Sequence, residues 1–168
     1  MNEKNPNLKD KESIAEIIGT GAIIFGDLVH DRIHNILFDW DKILDFQGET
    51  SPYIQYTIVR IKSLIEKFDL NKEKINYEKL NSFEEKKLIN KISQFKESIE
   101  AAQKSNKPHH IAKYALTLAQ EFNSYYVKTK IQNEDLELQN SRLFLSFVIK
   151  TILEKSLALL GIKSPKEM

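Results

Sequence analysis

Residues 38–60 read FDWDKILDFQGETSPYIQYTIVR, and the change of character within that stretch decides the fold. Its first half is polar and acidic, turning around Gly48 between Asp45 and Thr50. Its second half carries Ile54, Ile58 and Ile61, and continues to Ile65, at spacings of four, three and four. That period places all four on one face of a helix, whereas a strand would alternate every second residue. Ser51-Pro52 predicts where the helix begins, with a hydroxyl cap followed by a proline at the first helical position, where a missing N–H costs nothing.

Moving outward, the same period recurs and strand-like alternation does not. Residues Met1–Lys11 are polar and read as a poorly ordered lead-in. Ile14, Ile17 and Ile18, then Ile23, Ile24 and Leu28, predict helical turns on each side of a Gly19-Thr20-Gly21 step. Beyond the central helix, Asp69–Asn81 reads as a linker. Ser82 with Glu85 forms a capping box, followed by a stripe of Leu88, Ile92, Phe95 and Ile99 that predicts one helix to about Lys104. Pro108 restarts the chain for a third stripe, Ile111, Tyr114, Leu118 and Phe122, with Ala115 and Ala119 small enough for close helix approach. A polar connection over Gln132–Glu137 leads to a last helix from about Gln139 to Leu160, ended by Gly161. The fold class is therefore all-α, a bundle of four or five helices.

Composition narrows the function. The chain has 168 residues, enough for one domain with an appended piece of another. It has no cysteine, which excludes a disulfide framework and any thiolate metal site. No long apolar run or leader-like start is present, so a cytoplasmic, soluble protein is expected. A formal net charge of +1 is small for a nucleic-acid binder. The distribution is uneven, however: Ser105–Met168 holds nine Lys and Arg against six Asp and Glu, leaving the remainder slightly acidic.

Gly19-x-Gly21 lacks the preceding strand and the glycine spacing of a dinucleotide loop, and reads as close packing. His30 and His34 lie four apart, but no third ligand or His-Glu-x-x-His pattern accompanies them. Asp39, Asp41, Asp45 and Glu49 read as a solvated acidic turn. No catalytic residue and no metal ligand set is assigned. The carboxy-terminal half instead places Tyr114, Phe122, Tyr125 and Tyr126 near Lys107, Lys113, Lys128 and Lys130. Aromatic faces stack unpaired bases while cations hold phosphates, so this composition fits loop or single-stranded RNA; a helical core accounts for it equally.

Six blocks carry a resemblance. Gly19-x-Gly21-Ala22-Ile23 precedes Phe38-Asp39-Trp40-Asp41. Then come Gly48-x-Thr50-x-Pro52-Tyr53-x-Gln55-Tyr56-x-x-x-Arg60 and Pro108-x-x-Ile111-x-x-Tyr114-x-x-x-Leu118-Ala119-x-x-Phe122-Asn123-x-Tyr125-Tyr126. Last are Arg142-Leu143-x-Leu145 and Leu157-x-Leu159-Leu160-Gly161-Ile162-x-x-Pro165-x-x-Met168. Together, and in this order over most of the chain, they resemble the carboxy-terminal portion of arginyl-tRNA synthetases, class I enzymes, including the DALR anticodon-binding domain. The resemblance implies a helical bundle over residues 51–168, preceded at residues 1–50 by the end of a catalytic or stem-contacting region.

It also implies roles. Tyr126 and Met168 match positions at the anticodon pocket, and Gln47, Gly48 and Glu49 lie in a loop near the anticodon arm. Asn123, Arg142 and Tyr114 match common positions at which packing and contact are not separable. The implied partners are a tRNA for arginine and an upstream catalytic domain of the same enzyme, in a monomer. Departures exist: Ser156 stands where the family often has Gly, and the tail reads Lys166-Glu167 where Glu-Arg is usual. His-Ile-Gly-His-like and Lys-Met-Ser-Lys-like motifs are absent, so ATP with magnesium is expected to serve the parent enzyme and no cofactor this chain. The alternative is a freestanding helical interaction module derived from that domain.

Overall fold

The computed structural model describes residues 10–33 and 35–168; the amino-terminal lead-in up to residue 9 and His34 lie outside them. Seven α-helices follow in order: α1 Lys11–Leu28, α2 Trp40–Ile43, α3 Ser51–Phe68, α4 Phe83–Ser93, α5 Phe95–Ser105, α6 His109–Lys128 and α7 Leu136–Leu159. Among the described residues there is no strand. None of the described helices is long and apolar enough to cross a membrane.

Helix α3 is the axis on which the rest is arranged. Its cap lies one residue earlier than Ser51-Pro52 suggests: the Thr50 hydroxyl accepts the Tyr53 N–H at 3.3 Å, and Ser51 and Pro52 occupy the first two helical positions. Proline is tolerated there because the first-turn N–H groups have no intrahelical acceptor. Ile54, Ile58, Ile61 and Leu64 are buried, with Ile65 at the edge of that face. They meet α7, whose Leu143, Ile149, Leu153 and Leu157 are fully buried, and α6, whose Ala112, Ala115 and Ala119 let neighbouring backbones approach. Phe25 of α1 and Val29, the residue that caps it, belong to this same core, so the amino-terminal helix and the bundle share one apolar interior.

Three departures from the sequence pattern have visible causes. Helix α1 runs unbroken through Gly19-Thr20-Gly21, because Gly21 supplies closeness to a neighbour: a Cβ there would lie 2.9 Å from Gln55 Nε2 and 3.0 Å from Ile162 Cγ2. The single helix expected from Phe83 to Ser105 is broken at Gln94. In an uninterrupted helix the Lys91 carbonyl would accept from Phe95; here it receives the Tyr114 hydroxyl at 3.0 Å and the Gln94 N–H at 3.2 Å. The Asp69–Asn81 linker holds two short 3₁₀ turns. Asn140 Oδ1 accepts the Asn71 N–H at 2.8 Å, and Ser141 Oγ accepts the Asn76 N–H at 2.9 Å, pinning the linker to the start of α7.

Helix α7 also begins three residues earlier than expected, since Asp135 accepts the N–H groups of Glu137 and Leu138 as its cap. Its carboxy-terminal end is closed by Gly161 at φ +75°, a conformation that costs an L side chain about 1 kcal/mol or more. From there the tail returns across α3: Gln55 Nε2 donates to the Lys163 carbonyl at 2.7 Å, and Lys62 Nζ to the Lys166 carbonyl at 3.0 Å.

Candidate nucleic-acid interface

The outward face of α3 and the segment leaving α6 enclose an open groove of about 390 Å³. Helix α3 contributes Arg60, Ser63 and Lys67, one face at intervals of three and four; the other wall is Tyr126, Thr129, Lys130, Ile131 and Gln132. Three cations line it and no Asp or Glu does. At its centre the Arg60 guanidinium lies over the Tyr126 ring, Cζ 4.3 Å from the ring centroid. A guanidinium over a ring face at that distance is a cation–π contact. Tyr126 is half-buried, its other neighbour being Phe122 at 6.0 Å between ring centroids.

The aromatic cluster read from the sequence therefore divides. Tyr114, Phe122 and Tyr125 are core residues. Burial pushes the Tyr114 and Tyr125 hydroxyls well above the ordinary tyrosine value, so both stay protonated. Of the four rings, Tyr126 alone reaches the groove.

The other candidate residues lie elsewhere. Asn123, one turn before Tyr126, faces α3 and donates from Nδ2 to Thr57 Oγ1 at 2.8 Å; it braces two helices and does not line the groove. Met168 packs on Ile14 and Ile18 of α1. Gln47, Gly48 and Glu49 form a loop tied back on Asp45, whose Oδ1 accepts the Gln47 N–H at 2.8 Å and whose carbonyl accepts the Thr50 hydroxyl. That loop borders a larger apolar crevice of about 730 Å³ between α1, residues 36–39 and α2. Leu37 and Phe38, which line it, are exposed, as are Trp40 by 56% and Phe46 by 40%. Trp40 stacks edge-on against Phe38.

Sequence reasoning quoted Arg60 only as part of a motif and passed over Lys67. The polar spacing Arg60-Ser63-Lys67, opposite the isoleucine stripe, was the available signal.

Arg142 is now separable into packing and contact. Its Nε donates to Glu85 Oε1 at 2.7 Å and its Nη1 to the Lys130 carbonyl at 2.9 Å. Glu85 is 1% exposed, and its other oxygen takes the Ser82 N–H at 2.9 Å. Burial pushes that carboxyl up, but the Ser82 N–H and the Arg142 guanidinium outweigh it and hold it below the usual glutamate range.

Gly19-x-Gly21 sits inside a helix, and the space beside Gly21 is filled by Gln55, Ile162 and Ser51, leaving no phosphate cradle. Among the described residues no group of three or more His, Asp or Glu could hold a metal ion.

The all-helical fold is one that aminoacyl-tRNA synthetases share. An arginyl-tRNA synthetase from Thermus thermophilus superposes with a TM-score of 0.90 at 30% identity, over 99% of this chain and 29% of that one. One from Plasmodium falciparum gives 0.87 at 28% identity, over 99% and 30%. An arginine–tRNA ligase of Halothermothrix orenii is 40% identical over all of this chain and 30% of its own length. Residues 54–168 match the DALR anticodon binding domain, and the chain belongs to that family. It spans about 30% of the length of the curated relatives it matches.

Proposed function

We propose that this chain supplies tRNA recognition to an arginine–tRNA ligase, and that the groove between α3 and the end of α6 receives the anticodon loop. The observation that carries this is Arg60 seated on Tyr126 between Lys67 and Lys130, without an opposing carboxylate. A ring takes a base by stacking and the three cations take phosphates. Met168 and the loop of Gln47, Gly48 and Glu49 add contacts beyond the groove, while Asn123 contributes by fixing α6 on α3. The parent enzyme would couple ATP, with magnesium, to esterification of arginine to its tRNA on a catalytic part outside this chain. The apolar crevice around Phe38 and Trp40 is where that part would pack.

Titration of the purified chain with a tRNA for arginine and with an unrelated tRNA tests the reading. Preference for the arginine tRNA is expected. With three groove cations engaged, log affinity should fall against log salt with a slope of about −2, at roughly 0.7 per phosphate for single strands. Equal affinity for both at low salt would favour a second reading, a helical interaction module using the exposed apolar residues around the crevice. ATP–pyrophosphate exchange by the chain alone would overturn the placement of the chemistry elsewhere.

A further inference from the structure

We infer that Arg142 is a positioning residue for the groove, holding the wall that carries Lys130 in place from behind; this rests on the groove being an RNA site. The wall is the segment Thr129–Gln132, which leaves α6 in an extended conformation, with Thr129 at φ −114° and ψ 120°. An extended segment at a helix end has carbonyls with no regular partner, and its course is set by whatever satisfies them. Three ties fix this one. The Thr129 N–H closes α6 on the Tyr125 carbonyl at 2.8 Å, Ile131 is inserted into the core at 4% exposure, and the Lys130 carbonyl accepts Arg142 Nη1 at 2.9 Å. The last tie decides where the Lys130 side chain projects.

Arg142 is itself held. Its side chain is 14% exposed and its Nε is locked on Glu85, which is fixed in turn by the capping box at the start of α4. A guanidinium presents its donors in a rigid plane, so an Nε bond to one acceptor aims Nη1 at another; a lysine ammonium at the same place serves as a point charge without that second aim. The result is a relay from the α4 cap through Glu85 and Arg142 to the backbone of Lys130. Arg142 is not among the groove's lining residues, so it reaches RNA through Lys130 alone.

The test is a double-mutant cycle on the 168-residue chain with an anticodon stem-loop of a tRNA for arginine. It uses Lys130→Ala, Arg142→Gln and the pair, each measured across a range of salt. Lys130→Ala and Arg142→Gln are each expected to weaken binding roughly threefold to tenfold and to flatten the salt slope by nearly one phosphate contact. The pair should be no weaker than either alone, since both remove the same contact. Wild-type affinity and slope in folded Arg142→Gln would overturn the inference, as would a Lys130→Ala effect of full size in the Arg142→Gln background.

Should Arg142→Gln fail to fold, Arg142→Lys takes its place in the cycle, keeping a positive charge beside Glu85 while losing the aimed donor. Amide exchange gives an RNA-free readout: Thr129, whose N–H is bonded to the Tyr125 carbonyl, and Asn133, whose N–H is bonded to Gln139 Oε1, should exchange faster in Arg142→Lys while the core of α7 stays protected. Unchanged exchange there refutes the hold on the wall, whatever the RNA does. Failure of the wild-type chain to bind the stem-loop refutes the groove reading, and the exchange measurement then decides the hold by itself.

Discussion

Two alanines placed two residues apart on α1 should move stability in opposite directions. Gly19 and Gly21 both lie inside the helix, where glycine costs about 1 kcal/mol relative to alanine. A Cβ at Gly19 meets nothing within 4 Å, so Gly19→Ala should stabilise the chain by about that amount. A Cβ at Gly21 lies 2.9 Å from Gln55 Nε2, 3.0 Å from Ile162 Cγ2 and 3.1 Å from Ser51 Oγ. None of these can yield cheaply. Gln55 is fully buried and its amide is committed to the Lys163 carbonyl; Ile162 is buried and Ser51 is fixed in the first turn of α3. Overpacking of that kind costs about 1–3 kcal/mol, and loosening the buried Gln55 bond adds a further 1 kcal/mol or so. After the propensity gain is subtracted, Gly21→Ala should destabilise by about 1–3 kcal/mol.

Urea unfolding followed by circular dichroism reads the difference as a shift in midpoint at constant slope. The two variants should stand about 2–4 kcal/mol apart, or roughly 5–15 °C in Tm for a chain of this size. A Gly21→Ala variant as stable as Gly19→Ala would refute the close packing of α1 on α3 and the tail.

Two further expectations follow from the site and its support. Tyr126→Ala should weaken binding of an arginine tRNA by about 1–3 kcal/mol through lost stacking, while Tyr126→Phe keeps the ring and the affinity; equal affinity in folded Tyr126→Ala would return that ring to the core. Glu85→Gln should be about 1–3 kcal/mol less stable than wild type at neutral pH, having lost a charge-assisted bond to Arg142. Because the folded-state pKa of Glu85 is depressed, its contribution is present above the ordinary glutamate range and lost as pH falls through the depressed value. The gap between Glu85→Gln and wild type should therefore close in acid, and a gap independent of pH would show that the charge contributes nothing.

Periodicity made the helices legible because burial is what it records. The stripes on α3 and α6 became core faces nearly residue for residue, and the Ser82–Glu85 capping box formed with both of its bonds. What the pattern missed depended on long-range partners. The break at Gln94 depends on the Tyr114 hydroxyl, twenty-three residues from the Lys91 carbonyl it takes, and no local signal announces it. The continuity of α1 through two glycines depends on Gln55 and Ile162, from two other parts of the chain, filling the space beside Gly21. Local propensity argued for a step there, and tertiary packing overrode it.

The groove was half legible for the same reason. An aromatic at helical spacing carries no mark of whether it faces in or out, so Tyr114, Phe122, Tyr125 and Tyr126 looked alike until the helices packed around α6 covered three of them. What singles out Tyr126 is Arg60, sixty-six positions earlier in the chain, which reaches its ring only because α3 and α6 pack side by side. The same packing shows how a net charge of +1 is compatible with the proposed RNA site. Carboxylates elsewhere balance the total, but a phosphate responds to charges within about 10 Å, the screening length at ordinary salt, and the groove presents it with Arg60, Lys67 and Lys130. Glu85, the carboxylate tied to the groove's wall, is bound to Arg142 and buried, where its charge fixes the wall and is withheld from the ligand.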